Sequence, residues 1–215
     1  MIEDPMNQQP NGYLVIPDSG AGHPVLVLHA WWGLNDTIRA YCDRLAAAGF
    51  LAFAPDLYGA RVTDTIAGAE ELSGAMDSAA AADTVARAIG FLYERAGRPA
   101  GGVAVIGFSL GAWYAMEAST ADPRVRRVAL YYGSAPIDFS ASQAAYLIHF
   151  AGNDPYEPRE YLDETLANLR AAGRPAALHL YPGAGHWFCE PDRPDAYDPA
   201  AERLAWARTL AFLSE

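Results

Sequence analysis

The chain has 215 residues, 52% hydrophobic and 19% charged, a composition that fills one sizeable core and excludes a disordered chain. Fifteen Lys plus Arg against 26 Asp plus Glu leave a formal charge of −11, and no basic block interrupts it, which argues against nucleic-acid and anionic-membrane partners. One domain over 1–215 is expected, with about 1–11, polar and punctuated by proline, as a flexible N-terminal segment. That segment lacks the basic and apolar regions of a signal peptide. The longest apolar run, 25–34, falls short of the roughly 20 residues that span a bilayer. A cytoplasmic protein is the expectation, with Cys42 and Cys189 as free thiols, since neither stands in a C-x-x-C pair.

Along the chain, strand-like and helix-like segments alternate. Residues 25–28 form an apolar run ended by His29, and Asp36 then opens a helix that closes at Gly49. Residues 50–54 form a second run, stopped by Pro55. The Ala-rich stretch carrying Ile66, Leu72, Met76, Val85, Ile89 and Leu92 reads as helix in two pieces, broken near 74–78. Strand 102–106, helix 110–118, strands 128–132 and 146–150, helix 158–172, strand 176–181 and an amphipathic helix 199–213 follow. The strands are continuously apolar, not alternating, as expected when helices cover both faces of a mostly parallel sheet. The fold class is therefore α/β.

Sites in such sheets form in the loops beyond the C-terminal strand ends. One of these loops reads Gly107-Phe108-Ser109-Leu110-Gly111, a G-x-S-x-G between strand and helix. That setting exposes a serine nucleophile on a strained turn, and the helix start offers free N–H groups to developing negative charge. A serine hydroxyl needs a base. Of five histidines, His149 and His179 fall inside strands and read as core residues, His23 lies in an early turn, and His29 ends a strand, where it either borders the site or, the favoured reading, orients a loop. His186, in a Gly-rich loop after the last strand, is best placed to reach Ser109. Asp154 is the candidate acid that holds the imidazole tautomer. Asp138 is its rival, and an Asx turn ahead of Pro155 is the alternative reading of Asp154. The order Ser109, Asp154, His186 suits this nucleophile turn. The backbone N–H of Leu110 and, from its position, that of Trp31 are the candidate oxyanion donors. Trp31, Trp32, Trp187 and Phe188 suggest an apolar, aromatic acyl pocket, with Arg61 the nearby cation. No metal or organic cofactor is required, and the partner is a small-molecule ester.

With these pieces the chain resembles the dienelactone hydrolase family of α/β-hydrolases, as a serine-nucleophile variant. The likeness covers most of the length: His29-Ala30-Trp31-Trp32-Gly33, Pro55-Asp56-Leu57-Tyr58-Gly59, the Ser109 turn, Tyr131-Tyr132-Gly133, Gly152-Asn153-Asp154, Gly185-His186-Trp187-Phe188 and Ala196-Tyr197-Asp198-Pro199-Ala200-Ala201. The resemblance implies an α/β-hydrolase fold without a large lid domain, and hydrolysis of esters or lactones by a nucleophile–His–Asp set. Three departures stand out. The best-known members use cysteine where Ser109 stands, and a glutamate in the loop where Ala30 stands. They also hold a substrate carboxylate with two arginines, one of them four residues after the histidine, where this chain has Glu190. A negative charge there would repel an anionic dienelactone. Two other classes fit the same residues: a non-catalytic binding module on this fold, and thioesterase or peptidase chemistry. A dehalogenase would need aspartate at position 109.

Overall fold

A computed structural model describes residues 9–215; positions 1–8 of the expected N-terminal segment lie outside the described residues. Asn11 is already anchored, its carbonyl accepting from the Asp56 amide at 2.9 Å. The strands are β1 (Gly12–Val15), β2 (Pro24–Leu28), β3 (Leu51–Pro55), β4 (Val103–Phe108), β5 (Val125–Tyr131), β6 (Ala145–Ala151) and β7 (Ala176–Tyr181). The helices are α1 (Asp36–Ala47), α2 (Ile66–Gly74), α3 (Ser78–Arg95), α4 (Leu110–Ala121), α5 (Arg159–Ala171) and α6 (Pro199–Leu213).

The strands form one sheet in the order β1-β3-β2-β4-β5-β6-β7, parallel throughout except for the β1–β3 pair. Strands β2 to β5 are almost wholly buried, which explains their unbroken apolar sequences. One face packs on α1 and α6 through Cys42, Leu45, Ala205 and Phe212; the other packs on α3, α4 and α5 through Val85, Ile89, Ala115 and Leu162. Side chains that satisfy free N–H groups fix the helix starts: Asn35 for α1, Thr65 for α2, Asp77 for α3 and Asp198, ahead of Pro199, for α6.

Connectivity decides where a site forms. The chain steps from β2 outward to β3, then crosses back to β4 on the other side of β2. The β2–β4 boundary is thus the point where strand order reverses, and the two strands pair as far as Leu28 and Gly107. A crevice outside the strand ends opens at such a point. The loops bearing Trp31 and Ser109 are the two that flank it.

The structure differs from the sequence reading in several places, among them α4, which runs to Ala121 where the sequence reading ends it at 118. Strand β1 was not expected: it is four residues long, partly exposed and antiparallel. Strand β5 begins at Val125, three residues early, because Arg126 and Arg127 lie in its less buried first half. His179 is not a core residue, since β7 is the sheet edge and its Ala176, Ala177 and Leu180 are exposed.

Candidate active site

Strand β4 delivers the chain to Ser109 and helix α4 starts at the next residue. The turn between them forces Ser109 to φ 50°, ψ −111°, a positive φ that costs a non-glycine residue on the order of 1–3 kcal/mol. Both flanking glycines are required by close approach. A Cβ on Gly107 would lie 2.3 Å from the Gly111 carbonyl oxygen, and one on Gly111 would lie 2.3 Å from the Leu28 carbonyl oxygen. The second contact presses the start of α4 onto the end of β2, so the His29–Trp32 loop rides directly beside Ser109.

Three loops bring the polar groups together. Ser109 Oγ lies 2.8 Å from His186 Nε2, and His186 Nδ1 lies 2.6 Å from Asp154 Oδ2. The His186 and Asp154 side chains are only 4% and 1% exposed, so their contact is shielded from water. Asp154 makes the contacts of both readings that the sequence left open. While Oδ2 faces the imidazole, Oδ1 accepts from the Tyr156 and Glu157 amides at 2.9 and 3.1 Å, an Asx turn that pins the carboxylate. Asp138 is elsewhere, capping its own turn through Ser140.

The imidazole is boxed by rings. Tyr132, Tyr156 and Trp187 lie with centroids 5.0, 5.3 and 4.8 Å from His186, and Trp31 meets Tyr156 edge-on at 6.4 Å. Beside His186 a cavity of about 520 Å³ is lined by Ile66, Tyr156, Trp187, Asp195 and Tyr197, among others, with no arginine or lysine among its lining residues. Among the described residues, neither the Trp31 N–H nor the Leu110 N–H has a hydrogen-bond partner.

Other expected site residues fall outside this group. Trp32 is only 1% exposed and packs against Trp187 at 4.9 Å and the Arg193 guanidinium at 3.7 Å, so it is a core residue beside the site. Phe188 is fully buried against Tyr132 and Tyr181. Arg61 is exposed, bonds to the Tyr58 carbonyl and lines a separate cavity with Asp36, Arg39 and Asp56. Tyr156 and Glu157 escaped sequence reading because only the Asx turn returns them to Asp154. Burial pushes the Glu157 carboxyl up to about 7, although Ser134 donates to it from both amide and hydroxyl. Both thiols are buried and free, and burial pushes Cys42 up to about 12 and Cys189 well above its ordinary value, so neither offers a thiolate. Among the described residues, no three His, Cys, Asp or Glu side chains are grouped to hold a metal ion.

Glu190 also departs from expectation. It is only 1% exposed, accepts from Tyr132 Oη at 2.7 Å, and burial pushes its carboxyl up to about 8. It is thus turned inward and keeps its proton near neutrality, so the repulsion of an anionic substrate inferred from sequence loses its basis. The same shift has a consequence for stability. A carboxyl that holds its proton more tightly folded than unfolded favours the folded state below its ordinary pKa of about 4.5, and that contribution is lost as pH rises through about 8. Glu190→Gln keeps the acceptor without the charge. Its melting temperature is expected to match the wild type near pH 5 and exceed it at pH 8 to 9; parallel curves over that range would contradict the assignment.

Comparison with known proteins follows the same lines. The model of the dienelactone hydrolase family matches residues 11–215. The chain belongs to the dienelactone hydrolase family. Among curated relatives of this hydrolase, the protein usf of Aquifex pyrophilus is 29% identical over 95% of this chain and 92% of its own length. A Bradyrhizobium protein named "Probable 2-oxo-3-(5-oxofuran-2-ylidene)propanoate lactonase" is 30% identical over 88% of this chain and 82% of its own. The crystal structure of a dienelactone hydrolase-like promiscuous phosphotriesterase from metagenomic libraries superimposes with a TM-score of 0.81 at 23% identity, covering 92% of this chain and 89% of the other. The architecture is the α/β-hydrolase fold, with no large lid domain among the described residues.

Proposed function

We propose that this family member is a serine hydrolase that cleaves carboxylic esters or lactones through an acyl-enzyme. The observation that carries the reading is the unbroken contact from Ser109 Oγ through the His186 ring to Asp154. An imidazole whose Nδ1–H is held by a carboxylate presents a basic Nε2 to the hydroxyl. Ser109 then attacks the carbonyl carbon as its proton passes to His186. The N–H groups of Leu110 and Trp31, both without partners among the described residues, hold the oxyanion. His186 returns the proton to the leaving alcohol, or to the ring oxygen of an opened lactone, which stays tethered to the acyl group. Water activated by the same Nε2 then releases the acid and restores Ser109.

Trp31, Tyr156 and Trp187 around the reacting centre favour small neutral or aromatic acyl groups. The −11 charge and the absence of a cation in the His186 cavity point the same way. Chain-wide acidity supports a small-molecule partner over a nucleic acid or an anionic membrane.

A fluorophosphonate probe tests the reading. It is expected to modify one site, Ser109, and to abolish p-nitrophenyl ester hydrolysis in proportion to labelling. Labelling that leaves ester turnover intact, or turnover by protein that never labels, contradicts it.

A further inference from the structure

We infer that His29 is a positioning residue that sets the oxyanion-binding peptide, an inference that rests on the proposed esterase reading. His29 is fully buried at the end of β2, and both of its ring nitrogens are engaged. Nδ1 lies 2.7 Å from the carbonyl oxygen of Ala30, which can only accept, and Nε2 lies 3.3 Å from the amide of Leu57, which can only donate. These partners fix the tautomer: the proton sits on Nδ1 and Nε2 is the acceptor. Burial pushes the ring's affinity for a second proton down, so it stays neutral.

The Ala30 carbonyl and the Trp31 N–H belong to one planar peptide and point to opposite edges of it. Holding the oxygen therefore aims the N–H. The oxygen is held twice, by His29 Nδ1–H and by the Gly33 amide at 3.3 Å, while the N–H opposite is unpaired among the described residues. The Leu57 amide keeps the ring itself from rotating and ties the loop after β2 to the loop after β3. Tyr58 packs on the ring at 5.1 Å. Gly111 presses the same loop against the start of α4, beside the second candidate donor, Leu110. An imidazole that never touches substrate thus orients one of two backbone donors. Catalysis is sensitive to such orientation, because the donor must meet the oxyanion and not the ground-state carbonyl.

Two isosteres separate this role from simple packing. In His29→Asn the side-chain amide NH₂ sits where Nδ1 was and donates to Ala30. In His29→Gln the amide reaches the Nε2 position and its oxygen accepts from Leu57, but the Ala30 carbonyl loses the ring's donor and keeps only the Gly33 amide. His29→Gln is expected to lower kcat for p-nitrophenyl acetate roughly 10- to 100-fold with KM within about twofold, and to weaken an aryl trifluoromethyl ketone, which forms a tetrahedral oxyanion on serine, in step with kcat/KM. His29→Asn is expected to restore most of both. Equal losses in the two variants that follow their melting temperatures, or an unchanged kcat in a folded His29→Gln, would overturn the inference. Should His29→Gln fail to fold, His29→Ala replaces it: on binding the ketone, the downfield shift of the Trp31 amide proton is expected to be smaller in His29→Ala than in the wild type, and an equal shift refutes the assignment. A wild type whose hydrolysis persists in Ser109→Ala would instead end the esterase reading, and this inference with it.

Discussion

Ser109→Ala is expected to lower kcat for a good ester by about four to six orders of magnitude while leaving the fold intact. The size of the effect follows from what the hydroxyl does. It is the atom that forms the covalent bond, and no nearby group replaces it, because both cysteines are buried and held protonated. The fold survives for reasons on the same turn. Ser109 donates its amide to the Tyr131 carbonyl at 2.9 Å and accepts at its own carbonyl from Ala112 at 2.8 Å, and both bonds are backbone bonds that alanine retains. The positive φ is equally unfavourable for the two residues, so the strain stays. Steady-state kinetics together with a melting curve check both halves. A variant that keeps more than a hundredth of wild-type kcat, a margin set by comparison with other triads, would remove Ser109 from the chemistry.

Asp154→Asn is expected to cost about 10⁴-fold in kcat with little loss of stability. Asparagine keeps one carbonyl oxygen, which can still accept from Tyr156 and Glu157, so the Asx turn persists. Its NH₂ then faces His186 Nδ1 and turns that nitrogen into an acceptor. The ring proton moves to Nε2 and points at Ser109, where a lone pair was needed. The tautomer is reversed although every heavy atom stays in place. A folded Asp154→Asn with kcat near that of the wild type would show that the 2.6 Å contact serves only to hold the loop.

The two predictions rest on the part of the molecule that was most legible in the sequence. Glycines at 107 and 111 mark a turn where backbone must pass backbone, and the contacts of 2.3 Å that their Cβ atoms would make show why only glycine fits. Continuous apolar runs gave β2, β3, β4 and β6 because each is buried on both faces. Edge strands carry no such signal. Strand β1 is half-exposed and β7 shows both polar and apolar residues to water, so the apolar pattern misses the first and places His179 in the core. Aromatic residues near a site are ambiguous for a different reason. Nothing local distinguishes Trp31, which borders the reacting groups, from its neighbour Trp32, which is buried in the core, because that depends on Trp187 and Arg193, more than 150 residues away in the chain. Position alone makes Glu190 a negative charge facing the substrate; its burial under Tyr132 is a tertiary fact. The Ala30–Trp31 peptide lies between these cases: its place in the chain follows from the loop after β2, while its orientation depends on His29 and Gly33.

The central claim is that a covalent ester forms on Ser109 during turnover, and it is tested most directly by weighing the protein in the act. Mixing the enzyme with excess p-nitrophenyl acetate, quenching in acid within the first turnovers and mapping peptides by mass spectrometry is expected to show one acetyl group, on Ser109, that disappears as substrate is exhausted. An acetyl group found instead on Cys189 or any other residue, or steady hydrolysis with Ser109 unmodified at every time point, including in the slowed Asp154→Asn enzyme, would contradict the account.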